Sequence, residues 1–144
     1  MVGEKCEIDM PIYRYADVLT LLSEAIVRNG NRVTQEAVDL LNQVRVKHGG
    51  LRAYKLSDFL SVEDFLDKLL EERGHEFYFE GVRRQDLIRH GKFIEKALEK
   101  ARFAGQPTGK IETMIDGKYK YEKFPLPTHI ITEGQGLIIQ NPGY

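Results

Sequence analysis

Apolar residues recur at helical spacing through the first two thirds of the chain and lose that rhythm near residue 104. Across RYADVLTLLSEAIVRN, residues 14–29, Val18, Leu19, Leu22, Ala25 and Ile26 fall at helical intervals, and Gly30 supplies a natural stop. Thr34 then offers a side-chain oxygen as N-cap for a second helix. Its stripe is Ala37, Leu40, Leu41, Val44 and Val46, and Gly49-Gly50 ends it. About four residues join the two helices, so they must run antiparallel. Leu19, Leu22, small Ser23, Ile26 and Gly30, followed by Ala37, Leu41 and Val44, fit a degenerate tetratricopeptide helix pair over residues 14–48. One such pair leaves apolar faces that need neighbours, because repeats of this kind bury their cores by stacking.

Ser61 opens a second helical region, 61–103, through a capping box with Asp64, and Phe65, Leu66, Leu69 and Leu70 follow on one face. This helix is predicted to run to about Phe79. Gly81 interrupts it, and a further helix from Val82 to about Phe103 carries Leu87, Ile88, Ile94, Ala97 and Leu98. Four main helices are therefore expected by residue 104. In residues 104–144 glycine and proline recur too often for long regular elements, and the segment reads as an extended tail. Within it, KIETMI and KYKYEKF flank Asp116-Gly117, the turn chemistry of a tight β-hairpin. The predicted class is mainly α: tetratricopeptide-like antiparallel helices, an irregular C-terminal tail and a short β-hairpin.

Composition narrows the function. The 144 residues have the size of one ordinary domain, and 42% hydrophobic with 30% charged residues is a folding composition. With 21 lysines and arginines against 22 aspartates and glutamates, the net charge of -1 leaves no overall electrostatic footprint for nucleic acid. The one cysteine, Cys6, excludes an internal disulfide framework and a cysteine-based zinc site. Gly3, Glu4 and Lys5 before it do not make a lipoprotein signal, so Cys6 reads as an ordinary structural thiol. No stretch approaches the roughly 18 consecutive apolar residues of a membrane-spanning helix.

The segment ERGHEFYFEGVRRQDLIRHG, Glu72 to Gly91, sets charges and aromatics inside an apolar helix pattern. Helical spacing would pair Glu80 with Arg83 or Arg84, and Asp86 with Arg89 or His90. Glu80 and Asp86 as the acid and base of a glycosidase would need one raised pKa, which neighbouring arginines oppose. His75 with Glu76 and Glu80, or His90 with Asp86, could offer metal ligands, but the spacing matches no strong motif. The favoured reading is structural: a charged helix anchored to its neighbours, with no catalytic residue, no metal and no cofactor.

The same residues carry a resemblance. Glu72, Arg73, Glu76, Glu80, Gly81, Arg83, Asp86, Leu87 and Arg89 reproduce ER-x-x-E-x-x-x-EG-x-R-x-x-DL-x-R, which closely resembles the signature of the SusD/RagB family. Arg14 to Asn31 resembles that family's RYADVL helix, and TQEAVDLLNQVRVKHG its A-x-x-x-LN-x-VR helix. FPLPTHIITEGQGLIIQNPGY resembles its proline segment and closing QNPGY. The blocks occur in the family's order and span nearly the whole chain; Arg84 departs from it, standing where an aromatic is common. Members are typically several times longer, so the chain reads as the C-terminal portion of one, residues 1–144 forming the family's terminal region.

The resemblance implies a glycan-binding lipoprotein tethered to the outer face of a bacterial outer membrane. It implies no catalysis: the protein captures oligosaccharide or polysaccharide and delivers it to a TonB-dependent, SusC-like transporter. The alternative is a tetratricopeptide-like scaffold that binds only protein. Sugar capture uses aromatic faces aided by polar groups in a concave site. The chain has no tryptophan, and the rings outside the predicted helices include Tyr54, Tyr119, Tyr121 and Phe124. Tyr54, Tyr119 and Tyr121 are the candidate sugar contacts, and the last two would share one face of a strand.

Overall fold

Capping chemistry fixes where the helices begin. In a computed structural model that describes residues 12–144, Thr34 Oγ1 accepts the Ala37 N–H at 3.2 Å and Ser61 Oγ the Asp64 N–H at 3.1 Å. Helix α1 spans Tyr15–Gly30, α2 Gln35–Lys47 and α3 Val62–Glu76. Asp64 completes its cap one residue earlier than a capping box predicts, accepting the Leu60 N–H at 2.9 Å. Asn31 in the left-handed conformation, φ 46°, closes α1, one residue past the expected stop at Gly30. Cys6 lies outside the described residues. The described chain falls into two compact units, one ending at Arg83 and one beginning at Arg84.

In the first unit each of α1, α2 and α3 packs on the other two. Val27, Ala37, Val38, Leu41, Phe65 and Leu69 form its centre, with Phe59 set edge-on against Phe65 at 4.8 Å. A second cluster gathers Ala16, Leu19, Val44 and Phe77. The loop from α2 to α3 is pinned by Asn42, whose amide donates to Tyr54 O and accepts from Tyr54 N, both at 2.8 Å.

The buried face of α1 is not the apolar stripe the sequence suggested. Ala16, Asp17, Leu19, Thr20, Ser23, Glu24 and Val27 turn inward. Val18 and Leu22 remain 55% and 46% exposed, Ala25 is exposed, and so is Val46 on α2. The polar residues tolerate burial because they are answered: Ser23 Oγ donates to Ala37 O on α2 at 2.8 Å, and Thr20 Oγ1 accepts from Arg73 on α3 at 2.6 Å.

The second unit holds most of α4 (Arg83–Arg89), α5 (Phe93–Phe103), a hairpin of β1 (Met114–Ile115) and β2 (Lys118–Tyr119), and α6 (Thr128–Glu133). The single helix expected from Val82 to Phe103 is broken by Gly91, φ 68°, where Lys92 N–H reaches back to Leu87 O at 2.8 Å in a Schellman stop. The hairpin lies where Asp116-Gly117 places it; both turn residues have positive φ, and Met114 faces Tyr119. Helix α6 was not expected in the tail, and it is short, one turn and a half between Pro127 and Gly134.

The closing residues fasten the proline segment. Pro125 and Pro127 have no N–H to donate, so of the three residues 125–127 only Leu126 has a backbone donor to satisfy. Gln140 takes both of its groups, accepting Leu126 N–H at 2.8 Å and donating to Leu126 O at 2.9 Å. Asn141 donates to Phe124 O at 2.7 Å, and the Tyr144 hydroxyl to Lys123 O at 3.0 Å.

Candidate functional site

Glu72, Arg73 and Glu76 on α3, with Glu80 on the turn after it, tie the first unit together. Arg14, just before α1, donates to Glu80 through two nitrogens at 2.9 and 2.8 Å, to Glu76 Oε1 at 2.6 Å and to Glu76 O at 2.7 Å. The bond to Glu80 above all, then that to Glu76, raises the guanidinium's already high pKa against the lowering effect of burial. Arg73, buried on α3, lies 2.7 Å from Asp17 on α1. Arg45 on α2 pairs with Glu72. His48 Nδ1 stands 2.9 Å from Glu76.

One of the two predicted pairings changes accordingly. Glu80 pairs with Arg14, 66 positions away, and not with Arg83 or Arg84, because the helix ends at Glu76 and i,i+3 geometry does not survive the turn. Arg83 instead donates to Leu70 O. Arg84 donates to Glu122 O at 2.9 Å and lays its guanidinium over Phe93 and Phe124 at 5.2 and 4.1 Å. Asp86 does pair with Arg89, at 3.0 Å.

This environment is the wrong one for a general acid. Burial pushes the Glu76 pKa up, but hydrogen bonds and charge from Arg14 and His48 outweigh it and hold the carboxyl below its ordinary value. Among the described residues no three His, Cys, Asp or Glu side chains converge to hold a metal ion.

The three candidate tyrosines sit in different surroundings. Tyr54 is half-buried, with Arg45 4.0 Å above its ring, Phe59 5.2 Å beside it and its hydroxyl donating to Glu72 at 3.2 Å. Burial first, and then the Glu72 charge, raises its pKa. One face of this ring is already occupied by a guanidinium. Tyr119 ends β2 and lines an open cleft of about 240 Å³ with Ile115, Asp116, Lys118, Lys123 and Pro142. Tyr121 does not share that strand face: the strand stops at Tyr119, and a 3-10 turn over Lys120–Glu122 replaces the alternation. The Lys120 ammonium lies 5.5 Å from its ring.

Two further rings, Tyr78 and Phe79, fall at the end of the helix that the sequence predicts to run to about Phe79. Because α3 ends at Glu76, both lie on the turn that follows, 78% and 94% exposed, with centroids 5.7 Å apart. The signal was Gly81, which halts the helix and releases the residues before it from the packed face.

Comparison with known proteins gives a consistent answer. A family model described as the SusD family matches residues 2–144. The chain is similar to the starch-binding protein SusD of Bacteroides thetaiotaomicron, 29% identical over 138 residues, which are 96% of this chain and 22% of that protein. It is also similar to the crystal structure of a SusD homologue from the same bacterium, with a TM-score of 0.73 and 30% identity, over 92% of this chain and 26% of the other. The chain thus spans about a quarter of the length of the relatives it matches.

Proposed function

The chain belongs to the SusD family, and from that premise we propose that it is part of a non-catalytic carbohydrate-binding protein of the bacterial cell surface. In this reading the whole protein is tethered to the outer membrane by lipid, captures oligosaccharide or polysaccharide, and passes it to a TonB-dependent, SusC-like transporter. The observation that carries the reading is the family match across residues 2–144, beside a relative whose name is starch-binding protein. The commitment of Glu72, Glu76 and Glu80 to guanidinium partners supports a protein that binds without making or breaking bonds. No helix of the described residues is long and apolar enough to cross a membrane.

Within this chain the Tyr119 cleft is the favoured contact among the three candidates. Tyr119, Ile115 and Pro142 offer apolar surface for the C–H face of a sugar, and Asp116, Lys118 and Lys123 rim it with hydrogen-bonding charge. Tyr121, beside it, offers a second, more exposed ring outside the cleft, and Tyr54 serves packing. Affinity electrophoresis in gels cast with starch, xylan or pectin tests this. At least one polysaccharide is expected to retard the chain, and Tyr119→Ala to weaken that binding about tenfold, near 1.4 kcal/mol. Passage through every gel unretarded would refute glycan binding by this chain. It would favour the protein-interaction scaffold, which has one structural observation behind it: the exposed apolar stripe of Val18 and Leu22 on α1.

A further inference from the structure

We propose that Tyr78 and Phe79 form a carbohydrate-stacking platform separate from the Tyr119 cleft, one that takes the apolar face of successive pyranose rings. The inference rests on the glycan-binding reading above and assigns it a second contact.

Four observations converge on this turn. First, two large rings stand side by side in solvent, 78% and 94% exposed, although Phe77 immediately before them is buried. Second, Phe79 adopts φ 71°, a left-handed conformation that a bulky aromatic side chain rarely accepts. Backbone strain of this kind persists only where the surroundings impose it, and it gathers at binding sites.

Third, the surroundings do impose it. Glu80 N–H bonds to Phe77 O at 3.1 Å, and Arg14 grips Glu76 and Glu80 on either side of the turn while its guanidinium lies 4.6 Å from the Phe77 ring. The backbone turn that carries the rings is therefore held before any ligand arrives, which lowers the ordering cost of binding.

Fourth, the rings border a shallow depression of about 570 Å³ with Gly74, Phe77, Gly81 and Arg83. Glycine at 74 keeps it open and seats Arg83, because a Cβ there would lie 2.8 Å from Arg83 Nη1. The chemistry matches a sugar better than a purely apolar ligand. Two rings with centroids 5.7 Å apart would meet C–H surface, while the Tyr78 hydroxyl and the Arg83 guanidinium would meet hydroxyl groups at the edge. The planes are inclined by 53°, which suits a chain whose successive rings turn relative to one another.

The test uses the full chain in the same polysaccharide gels, with Tyr78→Ala and Phe79→Gly beside the parent sequence. Glycine is chosen at 79 because it accepts φ 71° without strain, so the melting temperature should hold or rise while the ring is lost. The expected result is a loss of affinity of about tenfold or more in each variant for whichever polysaccharide retards the parent, the range seen for single aromatic contacts at interfaces. Undiminished retardation of both variants overturns the platform and leaves glycan binding standing. A fall in melting temperature of about 4 °C or more for Phe79→Gly also overturns it, since the ring would then be a packing residue. If no gel retards the parent chain, the glycan-binding reading falls and the platform with it.

Discussion

Arg73→Met should be among the most damaging single substitutions in the first unit. Arg73 is 3% exposed, its Nη1 lies 2.7 Å from Asp17 and donates to Thr20 at 2.6 Å, and its guanidinium stands 4.9 Å from the Phe77 ring. Methionine keeps much of the volume and the ring contact but leaves the Asp17 carboxylate buried without its counter-charge. Asp17 Oδ1 has no well-aligned hydrogen bond among the described residues, so the ionic contact answers its charge. Breaking a buried pair from one side costs about 3–5 kcal/mol, against a total of about 5–15 kcal/mol for a typical domain. Pairing Arg73→Met with Asp17→Leu removes both charges and should recover most of the loss. Urea unfolding followed by far-ultraviolet circular dichroism supplies both numbers, with a constant m-value as the check that compactness is unchanged. A loss below about 1 kcal/mol for Arg73→Met, or a double variant whose loss is the sum of the two single losses, would refute the reasoning.

The held-down Glu76 carboxyl makes part of the stability pH-dependent. A carboxyl whose folded pKa is depressed contributes stability that is complete above the ordinary carboxylate value, here 4.5, and is lost as pH falls through the lower folded value. Glu76→Gln lacks that contribution, so the stability gap between parent and variant should narrow from about pH 6 to about pH 3 in urea titrations; a gap that stays constant would contradict it. On α1, Leu22→Gln should change unfolding free energy by no more than about 0.5 kcal/mol, because the side chain is 46% exposed. Leu41→Ala, at a fully buried position, should cost about 2–5 kcal/mol, and the reverse order of the two effects would mean that α1 packs through its other face.

Local chemistry was legible in the sequence and long-range pairing was not. Thr34 and Ser61 announced two helix starts through oxygens that satisfy backbone donors three residues on, and Asp116-Gly117 announced the hairpin by its tolerance of positive φ. The inward face of α1 could not be read the same way. Apolar residues lie on more than one side of that helix, and the choice is made by Ser23 and Thr20, whose burial becomes tolerable only when Ala37 O and Arg73 are brought to them. Arg14 is the clearest case, since nothing local to it reveals that two carboxylates more than sixty positions away will share its guanidinium. Among the candidate tyrosines, Tyr54 was chosen for lying in a loop, but Asn42 ties that loop to α2 and draws the ring beneath Arg45.

The residues that make the family recognisable and those that would meet a ligand are therefore different sets, for a physical reason. A buried or half-buried ion pair is intolerant of change on either side: removing one partner strands the other, and an altered length misplaces the charge. Arg14, Arg45, Glu72, Arg73, Glu76 and Glu80 are bound by that constraint, and so is the Gln140 and Asn141 clasp on a proline segment poor in backbone donors. Exposed rings escape it. Tyr78 and Phe79 on a clamped turn can be exchanged for another aromatic or a polar residue with little effect on the core, so under the proposed reading recognition would be retuned while the fold is kept. The two sets meet at Arg14: it binds Glu80 on the far side of the turn and covers Phe77 just before Tyr78 and Phe79, so one structural guanidinium braces the turn that carries two exposed rings. A change at Arg14 would on this argument damage stability and, through those rings, ligand binding together, whereas a change at Phe79 would separate the two.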